Sequence, residues 1–324
     1  MELGHVLQPL LIRSFTISED NAKAAAEEEL SLAAAELVKQ LDLFLIRQHS
    51  YEARAETFGR IVESFAANNP VPTQAASMFN AVLEKIVRPQ HHSIFWGDRM
   101  LTLDKSAAFL NDKAFASAYA SVRGNHVYDS YDPPNTIAWR LNTLVWAARC
   151  ALKVEGDFVE CGVFKGDMSW TIMSILGQSL HDRMFYLYDS FEGLLPSDDE
   201  YPGHLNFVEF ANKIYQDPEN YETVLRRFSG MQNVKIVRGF LPQTLSEVSP
   251  ARVAFLHLDL NAAEPEVEVM KVLFDRMPQG GVIVFDDYGW LACEKQRIEA
   301  DKFAASRNHV ILELPTGQGL LVKN

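Results

Sequence analysis

The 324-residue sequence has little cysteine, fewer basic than acidic residues, and no long apolar run. Its three cysteines, Cys150, Cys161 and Cys293, are odd in number and widely spaced. None has a Cys or His at metal-ligand spacing, which excludes a disulfide framework and a thiolate zinc site. They read as buried small hydrophobes in a reducing compartment. No apolar stretch approaches the roughly 18 to 20 residues that span a bilayer. The N-terminus also lacks the basic patch, apolar stretch and cleavage site of a signal peptide. A soluble, cytoplasmic protein is the expectation. With 30 Lys plus Arg against 43 Asp plus Glu, the formal charge is -13. Such a surface repels phosphate backbones and anionic bilayers, so neither nucleic acid nor membrane is an expected partner. Missing too are G-x-G-x-x-G, the G-x-x-x-x-G-K-[ST] phosphate loop and a Tyr-x-x-x-Lys pair, which disfavours nicotinamide and ATP chemistry.

What is present divides at about residue 125. Residues 1–125 read as an α-helical N-terminal region. Leu30, Ala34, Leu37, Leu41 and Leu45 carry the three-and-four spacing of one helix face within Ser18–Gln48. A second helix is predicted from Thr73 to Ile86, stopped by Pro89. No residue of this half points to chemistry. Packing, self-association into a homo-oligomer, or a lid over a site are the roles open to it.

Residues 126–324 change texture to short β-branched or aromatic runs separated by helix-length segments. The runs are Phe158–Cys161, Met184–Tyr188, Val234–Val237, Val253–Leu258, Val282–Phe285, Val310–Leu314 and Gly319–Val322. Alternating strands and helices imply βαβ units and a mostly parallel sheet, an α/β fold. Only Pro315 to Gln318 separate the last two runs, too few residues for a crossover helix, so an antiparallel hairpin is predicted there.

The first run ends in Glu160-Cys161-Gly162-Val163-Phe164-Lys165-Gly166-Asp167, with a helix predicted to begin near Ser169. Glycines in a strand-to-helix turn let backbone approach a ligand, although such turns also occur for structural reasons alone. The second run leads into Asp189-Ser190-Phe191-Glu192-Gly193, where a carboxylate at a strand tip can accept bonds from ribose hydroxyls. A turn or N-cap Asp is the competing reading. Gly239 and Phe240, after the third run, can shape an adenine slot or serve as ordinary core. Asp259 ends the fourth run and Asp286-Asp287 the fifth. Strand tips of a parallel sheet emerge at one edge, so three carboxylates meet there and repel unless a cation intervenes. Hard oxygen donors without thiolate suit Mg²⁺ or another hard divalent cation, which lowers the pKa of a bound hydroxyl. For any single Asp, helix capping competes with this.

These residues resemble the macrocin-type O-methyltransferases of macrolide and aminocoumarin sugar tailoring. The resemblance covers about residues 126–324. It rests on Gly156 to Val163, Asp189 to Gly193, the Asp259 segment, and Gly280-Gly281 leading into Asp286-Asp287-Tyr288, with Trp139, Arg140 and Leu141 similar to the family's cofactor-closing helix. It implies a Rossmann-like class I methyltransferase sheet with an antiparallel C-terminal hairpin, S-adenosylmethionine as cofactor, and metal-assisted O-methylation of a small-molecule hydroxyl, on a sugar or small natural product. Carried over by position, Thr136, Glu160, Cys161, Gly162, Gly166, Ser169, Asp189, Ser190, Phe191, Glu192, Gly193, Gly239 and Phe240 hold the cofactor. Asp259, Asp286 and Asp287 hold the metal, and Asp259, then His257, is the base. Family members usually continue the fourth strand as Asp-x-Asp-Leu-Tyr, where this chain has Asn261 and Ala263, a departure on the acceptor side. Those two residues motivate an alternative, a non-catalytic nucleoside-binding relative acting as a scaffold. His126, Tyr128, Tyr131, His204 and Trp290 are acceptor-pocket candidates by position.

Overall fold

The computed structural model describes residues 93–98, 100–123, 136–194 and 207–324. The helices expected over Ser18–Gln48 and Thr73–Ile86 lie outside the described residues, as do His126, Tyr128, Tyr131 and His204. Contacts divide the chain into two units. One comprises Met1–Ile94, Thr102–Lys105 and Ser130–Pro133; the other comprises Phe95–Leu101, Ser106–Asp129 and Pro134–Asn324. In the first, the Asp104 N–H donates to the Ser93 carbonyl at 2.8 Å and the Ser93 hydroxyl to the Lys105 carbonyl at 2.9 Å. The second unit begins at Phe95, earlier in the chain than the change of texture at residue 126.

Two short strands, β1 (Ile94–Gly97) and β2 (Met100–Leu103), pair in a two-stranded sheet where the sequence reading expected helix. Short apolar runs do not distinguish strand from helix by periodicity alone. Helix α1 (Lys113–Val122) follows, with the Asp112 side chain accepting the Phe115 N–H as N-cap. Then come α2 (Ala138–Ala151), β3 (Asp157–Cys161), α3 (Asp167–Leu176), β4 (Phe185–Asp189), α4 (Phe207–Tyr215), α5 (Pro218–Arg227) and β5 (Val234–Arg238). The chain ends with β6 (Val253–Leu258), α6 (Ala263–Leu273), β7 (Val282–Phe285), α7 (Glu294–Ser306), β8 (Leu312–Glu313) and β9 (Gly319–Val322).

The seven strands β3 to β9 form one sheet in the order β5-β4-β3-β6-β7-β9-β8. Pairings from β5 to β7 are parallel, and β9 runs antiparallel to both β7 and β8. The expected α/β class and the closing hairpin are thus observed. Period-two alternation splits the strands between two cores. Phe158, Phe255, Val282 and Val284 face α2 and α3, packing with Leu141, Leu144, Ile172 and Met173. Val159, Leu256, Leu258, Ile283 and Phe285 pack with Val269, Met270 and Leu273 of α6 and Phe303 of α7. Helices on both faces explain why all six residues of β6 are buried. This layering carries the carboxyl ends of β3, β4, β6 and β7 to one edge, where the site candidates gather.

Candidate active site

At the tip of β3, Gly162 has φ +88, and a Cβ built on it would sit 1.8 Å from the Asp259 carbonyl oxygen. Only glycine permits the β3 and β6 tips to meet this closely. The Gly162 N–H bonds to the Tyr188 carbonyl and the Asp259 N–H to the Cys161 carbonyl, so the turn is stitched to both neighbouring strands. Phe164 also takes a left-handed backbone, φ 51. Asp189 holds it there. Its Oδ2 accepts the N–H groups of Val163 at 2.7 Å and Phe164 at 2.8 Å, and its Oδ1 accepts that of Phe191 at 2.7 Å. The carboxylate assigned from sequence to ribose therefore braces the turn, with about one of its four lone-pair positions left for a ligand.

Across β3 and β6, Glu160 and His257 are register partners, and both are buried. His257 Nδ1 lies 3.0 Å from Glu160 Oε1, and Nε2 lies 3.5 Å from Asp286 Oδ1. Asp286, also buried, accepts from Arg140 Nη1 at Oδ2 (2.6 Å) and from Gln318 Nε2 at Oδ1 (2.9 Å). Arg140 in turn makes a two-pronged pair with Asp98, Nε to Oδ2 at 2.5 Å and Nη2 to Oδ1 at 2.8 Å. Ligand atoms of His257, Asp259 and Asp286 come within 4.8 Å of one another. Asp287 is not in that group, but its Oδ2 is buried without a hydrogen-bond partner, as is Glu160 Oε2.

The charges sort these groups. Burial opposes a charged His257, yet the flanking Asp286 and Glu160 override it and push the imidazole up to about 10. While protonated, the imidazole has no lone pair to offer a metal or a substrate proton, although its ring lies in the same cluster as Asp259 and Asp286. Burial also opposes ionisation of Asp286, but Arg140 and His257 dominate and hold it below the usual carboxylate range. Asp259 moves the other way, well above that range, through burial and repulsion from Asp286 and Asp287. Burial and Asp286 likewise push Asp287 up to about 7. Glu266, at the start of α6, accepts from the Leu260 N–H and Gln296 Nε2, and burial with Asp287 nearby raises it to about 8. Anions thus outnumber cations. The raised proton affinities of Asp259 and Asp287 and the unpartnered Oδ2 of Asp287 are what a hard divalent cation would relieve. Asp286 can share in it, since each of its oxygens keeps a second lone pair.

The macrocin-O-methyltransferase (TylF) family model matches residues 138–311, more than half of the chain. The chain belongs to that family. It is 30% identical over 166 residues to the mycinamicin III 3''-O-methyltransferase of Micromonospora griseorubida, covering 48% of this chain and 65% of that protein. It is 28% identical over 165 residues to the 8-demethyl-8-(2,3-dimethoxy-alpha-L-rhamnosyl)-tetracenomycin-C 4'-O-methyltransferase of Streptomyces olivaceus, covering 48% of this chain and 62% of that one. The chain thus spans somewhat less than two thirds of each relative. The solved structure of the O-methyltransferase NovP superposes with a TM-score of 0.54 at 20% identity, covering 68% of this chain and all of that one, which establishes a shared fold.

Within this family member the remaining candidates fall in three places. Gly166 (φ +76) caps α3 against Phe228, and Gly239 (φ +140) packs on Thr244, both at the sheet's carboxyl edge. In the loop after β4, Ser190 Oγ bonds to the Gly193 carbonyl and accepts the Glu192 N–H, while Phe191 packs on Tyr221 at 4.9 Å. Beside that loop, a cavity of about 420 Å³ is lined by Phe191, Glu192, Tyr221 and Arg238 among others, and by no member of the acidic centre. Cys161 and Ser169 are fully buried, Cys161 in the core toward α6 and Ser169 with its hydroxyl turned to the Gly166 carbonyl. These two present no side chain at the surface. Buried Thr136 accepts the Tyr119 hydroxyl at its carbonyl, and the Phe240 carbonyl accepts the Thr244 N–H. Trp290 reaches the centre, its ring 5.4 Å from the Arg140 guanidinium carbon.

Sequence reasoning missed Asp98, Gln318 and Glu266, and gave Arg140 no charge role. For Arg140 a signal existed. It shares a helix face with Leu144, Ala147 and Ala151, all buried, so a cation on an apolar stripe demanded a buried anion. No local signal marks the other three.

Proposed function

We propose that this chain is an S-adenosylmethionine-dependent O-methyltransferase acting on a hydroxyl of a sugar or small natural product, with help from a hard divalent cation. One observation carries the reading: the glycine turn and the carboxylate cluster touch, with Gly162 packed on the backbone of Asp259. A methyl donor at the turn and an acceptor at the carboxylates would then be neighbours, the proximity that transfer requires. Family membership and the names of the relatives support the chemistry.

When bound, S-adenosylmethionine supplies an electrophilic methyl group and the cation lowers the pKa of the acceptor hydroxyl. The protein's part is to bind, orient and accept a proton. Glu160 Oε2, buried and lacking a donor, suits an ammonium such as that of the methionine moiety. Asp189 sets the turn and keeps limited capacity for ribose, and Gly162, Gly166, Ser190 to Gly193 and Gly239 shape the edge around it. Asp259, Asp286 and Asp287 would hold the cation. Asp259 is the proton acceptor, and His257, its proton affinity raised by the two carboxylates it lies between, keeps Glu160 and Asp286 in place. Residues 1–125 take accessory roles in packing, self-association or covering the site.

Titration calorimetry of S-adenosylmethionine and S-adenosylhomocysteine, with Mg²⁺ and with chelator, tests this. Micromolar-scale binding of both is expected, kept in Asp259→Ala and lost in Asp189→Ala, whose turn loses its brace. Absence of binding by the wild type under all conditions sinks the reading.

A further inference from the structure

The acidic centre draws on a residue outside the 138–311 segment that defines the family match. Asp98 follows β1, takes a left-handed backbone (φ 53) that Asp tolerates, and is 8% exposed. It occupies Nε and Nη2 of Arg140, leaving Nη1 for a single 2.6 Å bond to Asp286 Oδ2. A guanidinium is a rigid plane, so committing two of its nitrogens fixes the aim of the third. Gln318 holds the other Asp286 oxygen, and that carboxylate is thereby fixed from both sides. The same segment grips α2 beside Arg140: the Trp139 ring packs edge-on to Phe95 at 5.0 Å and to Phe109 at 5.1 Å. Trp290 covers the guanidinium at 5.4 Å.

We propose that Asp98 is a positioning residue of the active site, acting through Arg140 to hold Asp286 in a cation-binding orientation. This rests on the metal-assisted reading above. Without Asp98, Nε and Nη2 of Arg140 would be buried without acceptors, a state proteins avoid. The nearest relief is a two-pronged grip on Asp286, which, with Gln318 still on Oδ1, would leave that carboxylate one lone pair for a divalent ion in place of two. Asp98 thus shares the arginine's charge so that Asp286 is oriented without being captured. The N-terminal region then supplies part of the chemistry in addition to any packing role.

The test uses the full-length chain and Mn²⁺ as probe, counted by the electron paramagnetic resonance signal of the free ion. Circular dichroism and S-adenosylhomocysteine calorimetry report on fold and cofactor site. Outer partners of metal ligands typically matter by about 10- to 100-fold. Asp98→Asn is therefore expected to weaken Mn²⁺ by about that factor while S-adenosylhomocysteine affinity stays within about threefold. Asp98→Glu, which keeps the anion, should recover most of the loss. In an Arg140→Met background, adding Asp98→Asn should cost nothing further, because the route through Arg140 is already cut. Equal Mn²⁺ affinity in wild type and Asp98→Asn overturns the proposal, and so does a loss that persists in full without Arg140. Loss of native circular dichroism in Asp98→Asn together with Asp98→Glu indistinguishable from wild type would support the charge requirement by itself; unfolding of both variants overturns it in favour of a purely structural Asp98. A wild type that binds no Mn²⁺ fails earlier, at the metal reading, and takes this proposal with it.

Discussion

Replacing His257 by Leu removes a cation from between two buried carboxylates. With no exposed surface on the ring, and Glu160 and Asp286 at 3.0 and 3.5 Å, the variant leaves both anions short of a partner. Breaking a buried pair in this way costs about 3–5 kcal/mol. An independent route agrees: a ring raised from 6.5 to about 10 is stabilised on folding by roughly 5 kcal/mol. For a domain of this size the melting temperature should fall by about 6–20 °C. The pH dependence is more diagnostic than the size. The folded pKa lies above the unfolded one, so the contribution is complete below about 6.5 and disappears as pH climbs through about 10. Urea unfolding of both proteins in chelator at pH 6, 8 and 10 measures this. The stability gap should be widest at pH 6 and nearly closed at pH 10. A gap below about 1 kcal/mol at pH 6, or one independent of pH, refutes the charged-imidazole account. It would also return His257 to contention as a base.

Two further outcomes follow from the same geometry. Gly162→Ala must force apart the β3 and β6 tips, whereas Gly230→Ala, also left-handed (φ +82), meets nothing within 4 Å. The second should cost about 1–2 kcal/mol for backbone strain alone, and the first about 1–3 kcal/mol more, with loss of S-adenosylhomocysteine binding. Equal melting temperatures for the two variants would show that the contact with Asp259 is unimportant. Asp287 is held near 7, above its unfolded value, so the folded protein binds the extra proton and ionisation weakens it as pH rises from about 4 through 7. Asp287→Asn should accordingly match or exceed wild-type stability at pH 8 in chelator, while Mg²⁺ raises the melting temperature of the wild type only. Stabilisation of the variant by Mg²⁺ to the same degree would remove Asp287 from the ligand set.

How much of this was legible in the sequence follows from the range over which each feature is encoded. The strands of the sheet read clearly because β6 and β7 are buried on both faces and appear as unbroken apolar runs. The C-terminal hairpin was legible because four residues cannot hold a crossover. Gly162 and the three strand-tip Asp residues were legible because sheet topology alone sends them to one edge. What could not be read was which charge neutralises which. Asp98, Arg140 and Asp286 lie 42 and 146 residues apart, and nothing local to any of them names its partners. The same limit explains Asp189. Both of its competing readings, ribose ligand and turn brace, require a carboxylate at the tip of β4. Only the packed turn shows that backbone N–H groups of Val163, Phe164 and Phe191 claim it. Sequence pattern therefore fixes where carboxylates converge, while their protonation depends on buried cations contributed from α2 and β6. His257 illustrates the point: nothing local to it tells that it lies between two carboxylates, Glu160 and Asp286, whose charges raise its proton affinity.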